Sequence, residues 1–519
     1  MKRWLTVPIV AVWLAAVACL VTACDPGRTE RITVLYWGDF HARNRPYREP
    51  GLDQGPGELV GGAPRLAYIL DSLRLVARPA IVLHTGDEFS GSAECTITKG
   101  ESQVTLLRWL RPDAFVLGNH EFDYGTSRLL AVLPKFTCPV VCANLWDKAS
   151  QRLFGSPKVR PYILVKAGRV RVAIIGLILR DFRRSDLPNS VLEASDPEAM
   201  IRRWAEVLQD SADLTIVLSH MGYQEDVGLA RQLGQRYVDL IVGGHSHRTM
   251  LRPEVVEGVL VTQAGERGQF VGKLTLEVDL RRKAVRSWEA ELVPVRNPGR
   301  ASIAVAAYLD SLEAALETTY HLNAVVAHLR GNWIREPRGE SNVGDWQADA
   351  FRQASGADVA FQNTHGIRKD LAEGPVRVRD FWEMNPFSNE LVTFRVTGEE
   401  LLRILEHNCA LVEDCLQVSG VRCECEPAAP EGRRLLRARL SNGEPIRKGR
   451  HYTVCTNDYV VRNSQRYFGI PLGSRSIRRL GLLDRDVLIR AAQKQRTILA
   501  RKDGRLKVRS GAPAVRVID

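Results

Sequence analysis

The residues best suited to chemistry lie in one short stretch, Val116-Leu-Gly-Asn-His-Glu-Phe-Asp-Tyr-Gly125. Its apolar start indicates the end of a buried strand, and Gly118 then frees the backbone to turn. Asn119, His120 and Asp123 would project into a site. An amide can ligate a hard cation, an imidazole can act as an acid, and a carboxylate three residues on can accept the second imidazole N–H. The stretch therefore predicts acid–base chemistry beside a metal, although a polar turn with no chemical role would have a similar composition.

The same pattern, an apolar run that ends in polar residues, recurs along the first half of the chain. In an open α/β sheet the carboxyl ends of the strands converge on one crevice, so we expect these polar side chains to meet. A single histidine at a strand end usually has only a structural role, but five such groups at successive strand ends do not arise easily by coincidence. The groups are Asp39 and His41, Asp87, Asn119 and His120, His220, and His245 and His247.

The mixture of Asp, His and Asn side chains indicates which metals the site would bind. It suits divalent cations of intermediate hardness, such as zinc, manganese, iron or cobalt, better than a cysteine-rich structural zinc site. The candidate ligands are more numerous than one tetrahedral ion needs. The sequence therefore predicts two divalent ions that share a carboxylate.

The elements that must position these residues read as a layered α/β domain, because short apolar strands alternate with helical patterns. Strands at Val259–Thr262 and Gly272–Val278 are expected to be antiparallel and to complete it. Near Pro298 the pattern changes, and apolar spacing predicts a linker helix from about Ile303 to Tyr320. A second α/β region then runs from about Val325 to the end.

Length and charge limit the classes of protein. At 519 residues the chain is too long for one core, so two large domains are expected. The net charge of +12 invites a nucleic-acid interpretation. However, there is no run of five like charges and no recognisable nucleic-acid-binding motif, so we expect no nucleic-acid polymer as partner. The basic excess also suits small anionic substrates and an anionic membrane surface.

The N-terminus predicts export. Met1-Lys-Arg3 is followed by the mostly apolar segment Trp4–Leu20, and Val21-Thr-Ala-Cys24 resembles a bacterial lipobox. Residues 1–24 would then be a lipoprotein signal peptide, Cys24 the lipid anchor and residues 25–30 a tether. A membrane-spanning anchor is the competing interpretation. Either one places the bulk of the chain outside the cytoplasm, facing the periplasm or the cell exterior.

The remaining cysteines favour disulfides, because their number is even and the predicted compartment is oxidising. Pairing is expected within the cluster from Cys409 to Cys425. Pairing of Cys95 with Cys138 or Cys142 is a further expectation.

Four ordered motifs resemble those of the calcineurin-like metallophosphoesterases: Gly38-Asp-Phe-His41, Gly86-Asp87, Gly118-Asn-His-Glu121 and Gly244-His-Ser-His247. The chain is most similar to the bacterial 5′-nucleotidase and UDP-sugar hydrolase family, over nearly all of its length after residue 30. This resemblance implies a four-layer α/β/β/α sandwich over residues 31–298, a linker helix over 299–324 and a second α/β, substrate-binding domain over 325–519.

The resemblance also divides the candidate ligands between the two ions. One ion would be held by Asp39, His41 and His247, the other by Asn119, His220 and His245, with Asp87 bridging them. His120 would stabilise the transition state or protonate the leaving group, and Asp123 would orient it. The two ions would activate a water for attack on phosphorus.

Three segments of the second domain resemble the family's substrate-binding segments: Asn363-Thr-His-Gly-Ile-Arg368, Pro386-Phe-Ser-Asn389 and Asn457-Asp-Tyr459. The residues that the resemblance implies for substrate binding are Asn363, Arg368, Phe387, Asn389, Tyr459, Arg338 and Gln465. Arginines suit phosphate and two aromatic rings suit a flat base. Gln465 stands where the family has an aspartate that binds ribose hydroxyls, so this contact would lack charge.

The sequence thus predicts an exported, membrane-anchored dimetal phosphohydrolase that acts on nucleotides, of the 5′-nucleotidase or UDP-sugar hydrolase type. Alternatives within the enzyme class are a 2′,3′-cyclic nucleotide phosphodiesterase and a thiosulfohydrolase-like hydrolase of sulfur esters. A non-catalytic binding lipoprotein is the alternative from another class, and the intact His120 and Asp123 argue against it.

Overall fold

The computed structural model describes residues 29–48, 58–187, 190–412, 414–473 and 475–509. The predicted signal peptide, the lipid anchor Cys24 and the first residues of the tether lie outside these ranges. Within them, no helix combines the length and the apolar character that a bilayer crossing requires.

The chain folds into two compact units. The first comprises the residues up to Glu88 and those from Val104 to Ala306. The second comprises Phe89–Gln103 and the residues from Ala307 onward. The division falls inside the helix Ile303–Tyr320, which has the bounds predicted for the linker helix.

The helices of the described ranges are, in chain order, α1 (Ala63–Val76), α2 (Ala93–Thr98), α3 (Glu101–Leu110), α4 (Thr126–Val132), α5 (Pro197–Leu208), α6 (Tyr223–Leu233), α7 (Ile303–Tyr320), α8 (Asn342–Ser355), α9 (Val378–Met384), α10 (Gly398–Asn408), α11 (Asp458–Arg462), α12 (Ser464–Phe468) and α13 (Asp484–Gln495).

The strands of the first unit are β1 (Thr29–Trp37), β2 (Tyr47–Arg48), β3 (Leu59–Val60), β4 (Ala80–His84), β5 (Ala114–Val116), β6 (Val140–Val141), β7 (Leu145–Asp147), β8 (Arg152–Leu153), β9 (Val159–Arg160), β10 (Tyr162–Ala167), β11 (Val170–Ile178), β12 (Arg183–Leu187), β13 (Ser190–Ala194), β14 (Leu214–His220), β15 (Leu240–Val242), β16 (Glu254–Val256), β17 (Val259–Thr262), β18 (Phe270–Asp279) and β19 (Ala284–Pro294). Those of the second unit are β20 (Val325–Arg330), β21 (Val359–Asn363), β22 (Gly374–Arg377), β23 (Glu390–Thr397), β24 (Leu416–Ser419), β25 (Val421–Cys425), β26 (Leu435–Leu440), β27 (His451–Asn457), β28 (Arg478–Leu483), β29 (Thr497–Leu499) and β30 (Leu506–Val508).

Two sheets form the centre of the first unit. One has the strand order β19-β18-β1-β4-β5-β6-β9 and the other β10-β11-β14-β15-β17-β16. The strands β1, β4 and β5 are parallel in the first sheet, as are β11, β14 and β15 in the second. Parallel strands of one sheet end on the same side, so loops that follow them share an edge.

The core lies between these two sheets. Ile32, Val34 and Tyr36 alternate along β1 and pack in one buried cluster with Ile216 and Leu218 of β14. Leu35 and Trp37 point to the opposite face of the first sheet and are also buried. Such strands, apolar on both faces, are typical of sheets covered on both sides.

Helices cover the outer faces. α5 and α6 pack on the second sheet through Ile201, Val227 and Leu229, which share a buried cluster with Val217 of β14. α1 contacts β18 of the first sheet. The α/β fold class and its layered first domain are therefore confirmed. The prediction for Val259–Thr262 was wrong in part, because β17 runs parallel to β15 and antiparallel only to β16.

The second unit is also α/β. Its largest sheet has the order β24-β21-β27-β23-β28, and two three-stranded sheets have the orders β22-β20-β29 and β26-β25-β30. Cys409 and Cys425 form a disulfide, as predicted for this cluster. Cys138 and Cys142 are buried thiols, so the predicted pairing of Cys95 with either was wrong. Burial raises the pKa of these two thiols to about 12, which makes them poor nucleophiles.

Candidate metal centre

The polar residues predicted at strand ends come together in the first unit. β1, β4 and β5 lead to Asp39, Asp87 and Asn119, β14 ends at His220, and β15 leads to His245. The loops after β1 and β4 are joined by three backbone hydrogen bonds, in which the N–H groups of Asp39, His41 and Ala42 donate to the carbonyls of Gly86, Asp87 and Glu88. These side chains therefore lie where the carboxyl ends of the strands were expected to converge.

Six of the predicted ligands form two groups. In each group, every residue offers one ligand atom within 4.8 Å of those of the others. The groups are Asp39, His41 and His247, and Asp87, His220 and His245. His41, Asp87 and His120 meet the same criterion, so the groups adjoin. The seventh residue, Asn119, directly precedes His120, whose backbone N–H donates to Asp87. These groupings agree with the expected division between two ions, which stays a prediction.

Most of these ligands sit on strained backbone. Asp39, His41, Asp87, His245 and His247 have positive φ angles of 47°, 49°, 54°, 72° and 56°. Residues other than glycine rarely adopt this left-handed region, and such strain concentrates at functional sites. The strain indicates that the surrounding structure holds these side chains in place for a purpose other than stability.

Hydrogen bonds fix the histidines. The Nδ1 of His220 donates to the carbonyl of Thr85 over 2.6 Å, which leaves Nε2 facing Asp87 Oδ2 at 3.0 Å. The Nδ1 of His247 lies 3.0 Å from a carboxylate oxygen of Glu266. Carbonyls and carboxylates of this kind orient metal-binding imidazoles in proteins. Neither Thr85 nor Glu266 could be identified from the sequence, because neither belongs to one of the four motifs of the first unit.

Divalent ions fit this set of donors. Asn119 Oδ1 is buried and has no hydrogen-bond partner, which is costly unless another group coordinates it. The buried His220 Nε2 lies beside the carboxylate of Asp87, at 3.0 Å. Asp39 and Asp87 are about 1% exposed. Burial opposes the charge on Asp87, but the imidazoles of His220 and His120 hold its pKa well below the usual value. Two buried carboxylates with imidazole and amide donors form a set that binds divalent transition metals.

His120 and Asp123 form the predicted pair. The Nδ1 of His120 lies 2.7 Å from Asp123 Oδ2, and its Nε2 lies 4.0 Å from Asp87 Oδ2. The backbone N–H of His120 donates to Asp87 Oδ1 over 2.9 Å. The imidazole is therefore oriented from one side by Asp123 and presents Nε2 beside the buried carboxylate.

Glu121 has a role that the sequence analysis missed. It is 1% exposed, and its carboxylate accepts the backbone N–H groups of Asp87, Glu88 and Gly118 over 3.0, 2.8 and 2.7 Å. Burial raises its pKa to about 7. Glu121 thus binds the loop after β4 to the loop after β5. Its place in the motif Gly118-Asn-His-Glu121 was the only signal in the sequence.

The predicted substrate residues lie in the second unit with varied exposure. Asn363 is buried, and its amide lies 3.4 Å from both Asp414 Oδ1 and the Tyr467 hydroxyl. The guanidinium of Arg368 lies 5.9 Å from the centre of the Phe387 ring. The other predicted residues comprise one buried side chain, Asn389, and three exposed ones, Tyr459, Gln465 and Arg338. Tyr459 belongs to α11, which Asn457 caps.

Asp414 organises this region, and sequence reasoning missed it. Its carboxylate accepts hydrogen bonds from the Tyr467 hydroxyl over 2.5 Å and from the backbone N–H of His365 over 2.7 Å. Arg466 lies 3.3 Å from the same carboxylate. The ring of Tyr467 meets that of Tyr459 edge to face, with centroids 6.1 Å apart. Asp414 therefore ties the segment of Asn363 to the helix of Tyr467.

Comparisons with known proteins agree with this architecture. Residues 32–249 match the model of the calcineurin-like phosphoesterases, and residues 323–469 match that of the 5′-nucleotidase C-terminal domain. The chain is 26% identical to an apyrase of Tabanus yao over 92% of this chain and 93% of that protein. It is 25% identical to a probable 5′-nucleotidase of Treponema pallidum, over 97% and 99% of the two chains. A solved structure of a 5′-nucleotidase precursor from Thermus thermophilus aligns with a TM-score of 0.82 and 28% identity, over 93% of this chain and 100% of the other.

The fold, the donor set and these matches define a metal-dependent phosphoester hydrolase. Such phosphoesterases use divalent metals. Since the second match follows the first along the chain, the protein belongs to the family in which a calcineurin-like phosphoesterase domain precedes a 5′-nucleotidase C-terminal domain.

Proposed function

We propose that this enzyme hydrolyses phosphate esters of nucleotides, of the 5′-nucleotidase or UDP-sugar hydrolase type, with two divalent ions. The observation that carries the proposal is the meeting of two ligand groups around Asp39 and Asp87, with His120 beside Asp87. The names of the relatives, apyrase and 5′-nucleotidase, support nucleotides as substrates.

Each part of the site has a role in this mechanism. The two ions would be held by Asp39, His41 and His247 and by Asn119, His220 and His245, with Asp87 between them. Bound there, they supply Lewis acidity that activates water and neutralises phosphoryl oxygens. Because Asp123 accepts a hydrogen bond from the Nδ1–H of His120, Nε2 is the atom that can hold a proton for the leaving alkoxide or stabilise charge in the transition state.

The second unit would bind the substrate. Arg368 and Arg338 would contact phosphate, Asn363 and Asn389 polar groups, and Tyr459 and Phe387 the base. Support comes from Tyr459, which leaves 38% of its surface exposed for stacking, and from the guanidinium of Arg368 beside Phe387. Gln465 is exposed and would contact a sugar hydroxyl without charge. A Tyr459→Leu variant should raise KM more for a 5′-nucleotide than for p-nitrophenyl phosphate, which has a smaller ring system.

We also propose export and anchoring through a lipid on Cys24, facing the periplasm or the cell exterior. The support is the sequence Val21-Thr-Ala-Cys24 after an apolar segment. A Cys24→Ser variant should lose labelling with a fatty acid and leave the membrane fraction. Membrane association that persists without the cysteine would instead indicate a spanning anchor.

The decisive experiment incubates the full chain, with Mn²⁺, Zn²⁺ or Co²⁺ added, with 5′-nucleotides, UDP-sugars, 2′,3′-cyclic nucleotides or a thiosulfate ester. The products to identify are, respectively, inorganic phosphate, UMP with a sugar phosphate, a nucleoside monophosphate, and sulfate. We expect the first two classes to be hydrolysed and EDTA to abolish the activity. Asp87→Asn should lower both turnover and bound metal. Full activity in Asp87→Asn with two metals bound would contradict the bridging role, and turnover of only the last two substrates would favour the alternative reactions.

A further inference from the structure

A second group of carboxylates lies in the C-terminal unit, apart in sequence from the candidate metal ligands. Oxygens of Glu340, Asp345 and Asp503 lie within 4.8 Å of one another. Glu340 comes just before the N-cap of α8, Asp345 lies in the first turn of that helix, and Asp503 precedes β30. Two segments distant in sequence, the start of α8 and the loop before β30, thus bring acidic groups to one point.

Asp345 is the residue that makes this group unusual. It is only 3% exposed, and no N–H group or hydroxyl donates to either carboxylate oxygen, whose neighbour is the carboxyl group of Glu340. Its nearest cationic atom, Nε of Arg505, lies 3.8 Å from Oδ2, beyond hydrogen-bond distance. Arg505 instead donates to Asp349 and Asp503. A buried carboxylate without donors is destabilising unless something else neutralises it.

The neighbouring charges do not provide that neutralisation. Three carboxylates meet here, those of Glu340, Asp345 and Asp503, and Arg505 is shared with a fourth, that of Asp349. Within the described ranges, the guanidinium groups in contact with them are those of Arg505 and of Arg422, 3.7 Å from Asp503. Burial raises the pKa of Asp345 to about 9. Either a proton or a bound cation must therefore offset the negative excess.

Glu340 favours the cation. Its two oxygens accept the backbone N–H groups of Asp503, Gly504 and Leu506 over 3.1, 2.8 and 3.1 Å. Because both oxygens accept N–H groups, these bonds favour the ionised carboxylate of Glu340 and hold it rigidly in place. Two ligands about 2.4 Å from one ion can be no more than twice that distance apart, and the three oxygens satisfy this limit.

We propose that Glu340, Asp345 and Asp503 bind a hard divalent cation of the Ca²⁺ type. All three donors are oxygens, and there is no imidazole or thiolate among them, which disfavours zinc. The ligands come from a loop, a helix and a second loop, an irregular arrangement that suits Ca²⁺ better than the strict octahedron of Mg²⁺.

Such a cation would be structural. It would join the start of α8 to the turn before β30, and the loop of Arg338 would be held through Glu340. The cation should therefore stabilise the folded state, since a ligand that binds only the folded chain raises its unfolding temperature.

The test uses the full chain with Asp39→Asn and Asp87→Asn, which removes one carboxylate from each group of the candidate metal centre. Ca²⁺ is titrated by thermal unfolding and by competition with Tb³⁺ luminescence, for which Trp346 is a neighbouring sensitiser. We expect Ca²⁺ to raise the unfolding midpoint, and Asp345→Asn to weaken Ca²⁺ binding by roughly tenfold or more and to remove the shift. Asp349→Asn, one turn later on α8, should bind Ca²⁺ as the parent does.

Asp503 is exposed, so Asp503→Asn should fold and provides the same test if Asp345→Asn does not fold. Either variant should lose affinity while the Asp349→Asn control keeps it. The proposal is overturned if Ca²⁺ shifts no midpoint, or if Asp345→Asn or Asp503→Asn binds Ca²⁺ as tightly as the parent. Asp345 would then be neutralised by a proton.

Discussion

The Nδ1 atom of His120 lies 2.7 Å from Asp123 Oδ2, and because this contact occupies Nδ1, chemistry on a substrate would use Nε2. A carboxylate that accepts a hydrogen bond from Nδ1–H orients the ring and fixes its tautomer. His120 and Asp123 would therefore serve proton transfer, whereas Asn119, the preceding residue on the same loop, is the predicted metal ligand.

Replacing His120 with alanine should lower turnover by roughly 10² to 10⁴ with bound metal unchanged, if its Nε2 protonates the leaving group. The loss should be smaller with p-nitrophenyl phosphate, because nitrophenolate leaves without protonation. Turnover on both substrates and metal content by elemental analysis provide the measurement. Asp123→Asn is the matched variant and should show a smaller effect of the same kind. Equal losses on both substrates would contradict the role as acid.

Replacing Glu121 with glutamine should destabilise the fold and lower activity. The carboxylate accepts three backbone N–H groups, whereas the amide N–H₂ of glutamine would face at least one of them. An unsatisfied buried donor costs about 1–3 kcal/mol in the free energy of unfolding. Urea unfolding would measure this. The exposed Glu289, paired with Arg31, is the control, and Glu289→Gln should change stability by about 0.5 kcal/mol or less. Equal effects of the two changes would contradict the argument.

Aspartates that precede strands hold neighbouring strands in both units. Asp113, Asp213, Asp239 and Asp358 each accept a backbone N–H from the adjacent strand, over about 2.8 Å. The sequence signal is an aspartate directly before an apolar run, but its partner cannot be known without the pairing of the strands. Because Asp239 and Asp213 differ in their surroundings, we expect their contributions to the free energy of unfolding to depend on pH in opposite directions.

Burial raises the pKa of Asp239 to about 7. The pKa of Asp239 is higher in the folded chain than the value of about 3.9 that it has in the unfolded chain. The contribution of Asp239 to stability is therefore fully present below the unfolded pKa and is lost as pH rises through about 7. Asp239→Asn should therefore be more stable than the parent at pH 8, on the order of 1–3 kcal/mol, with the advantage shrinking toward pH 4. Chemical unfolding across this pH range measures it.

Asp213 is the control, because its pKa is shifted in the opposite direction from that of Asp239. Burial opposes its charge, but hydrogen bonds from Arg171 lower its pKa. Its stabilising effect is present above the unfolded pKa and is lost as pH falls through the folded one. Asp213→Asn should therefore destabilise at pH 7 and have little effect in strong acid. The same pH trend in both variants would refute the assignment.

The sequence predicted the parts of this molecule that depend on local order. Strand ends are marked by apolar runs that stop at polar residues, so Asp39, Asp87 and His220 could be found. The partners that orient the histidines could not, because Thr85 and Glu266 carry no local mark. Thr85 meets His220 only after the two sheets pack, and Glu266 meets His247 only after β15 pairs with β17. Asp414 was missed for the same reason, since its partners Asn363 and Tyr467 are far from it in sequence.

Gly118 gives the sharpest test of how closely the backbone fits the candidate metal centre. A Cβ atom there would lie 2.2 Å from Asp87 Oδ1 and 2.8 Å from His220 Nε2, although the backbone angle of Gly118 does not itself require glycine. Gly118→Ala must therefore displace the carboxylate proposed to bridge the ions, and a displacement of about 1 Å costs roughly 10² in turnover. We expect loss of bound metal together with loss of activity. Gly228 in α6 has open space around it, so Gly228→Ala should keep activity and stabilise the helix by about 0.5–1 kcal/mol. If Gly118→Ala retained both metal and turnover, the carboxylate of Asp87 would not be where the chemistry needs it.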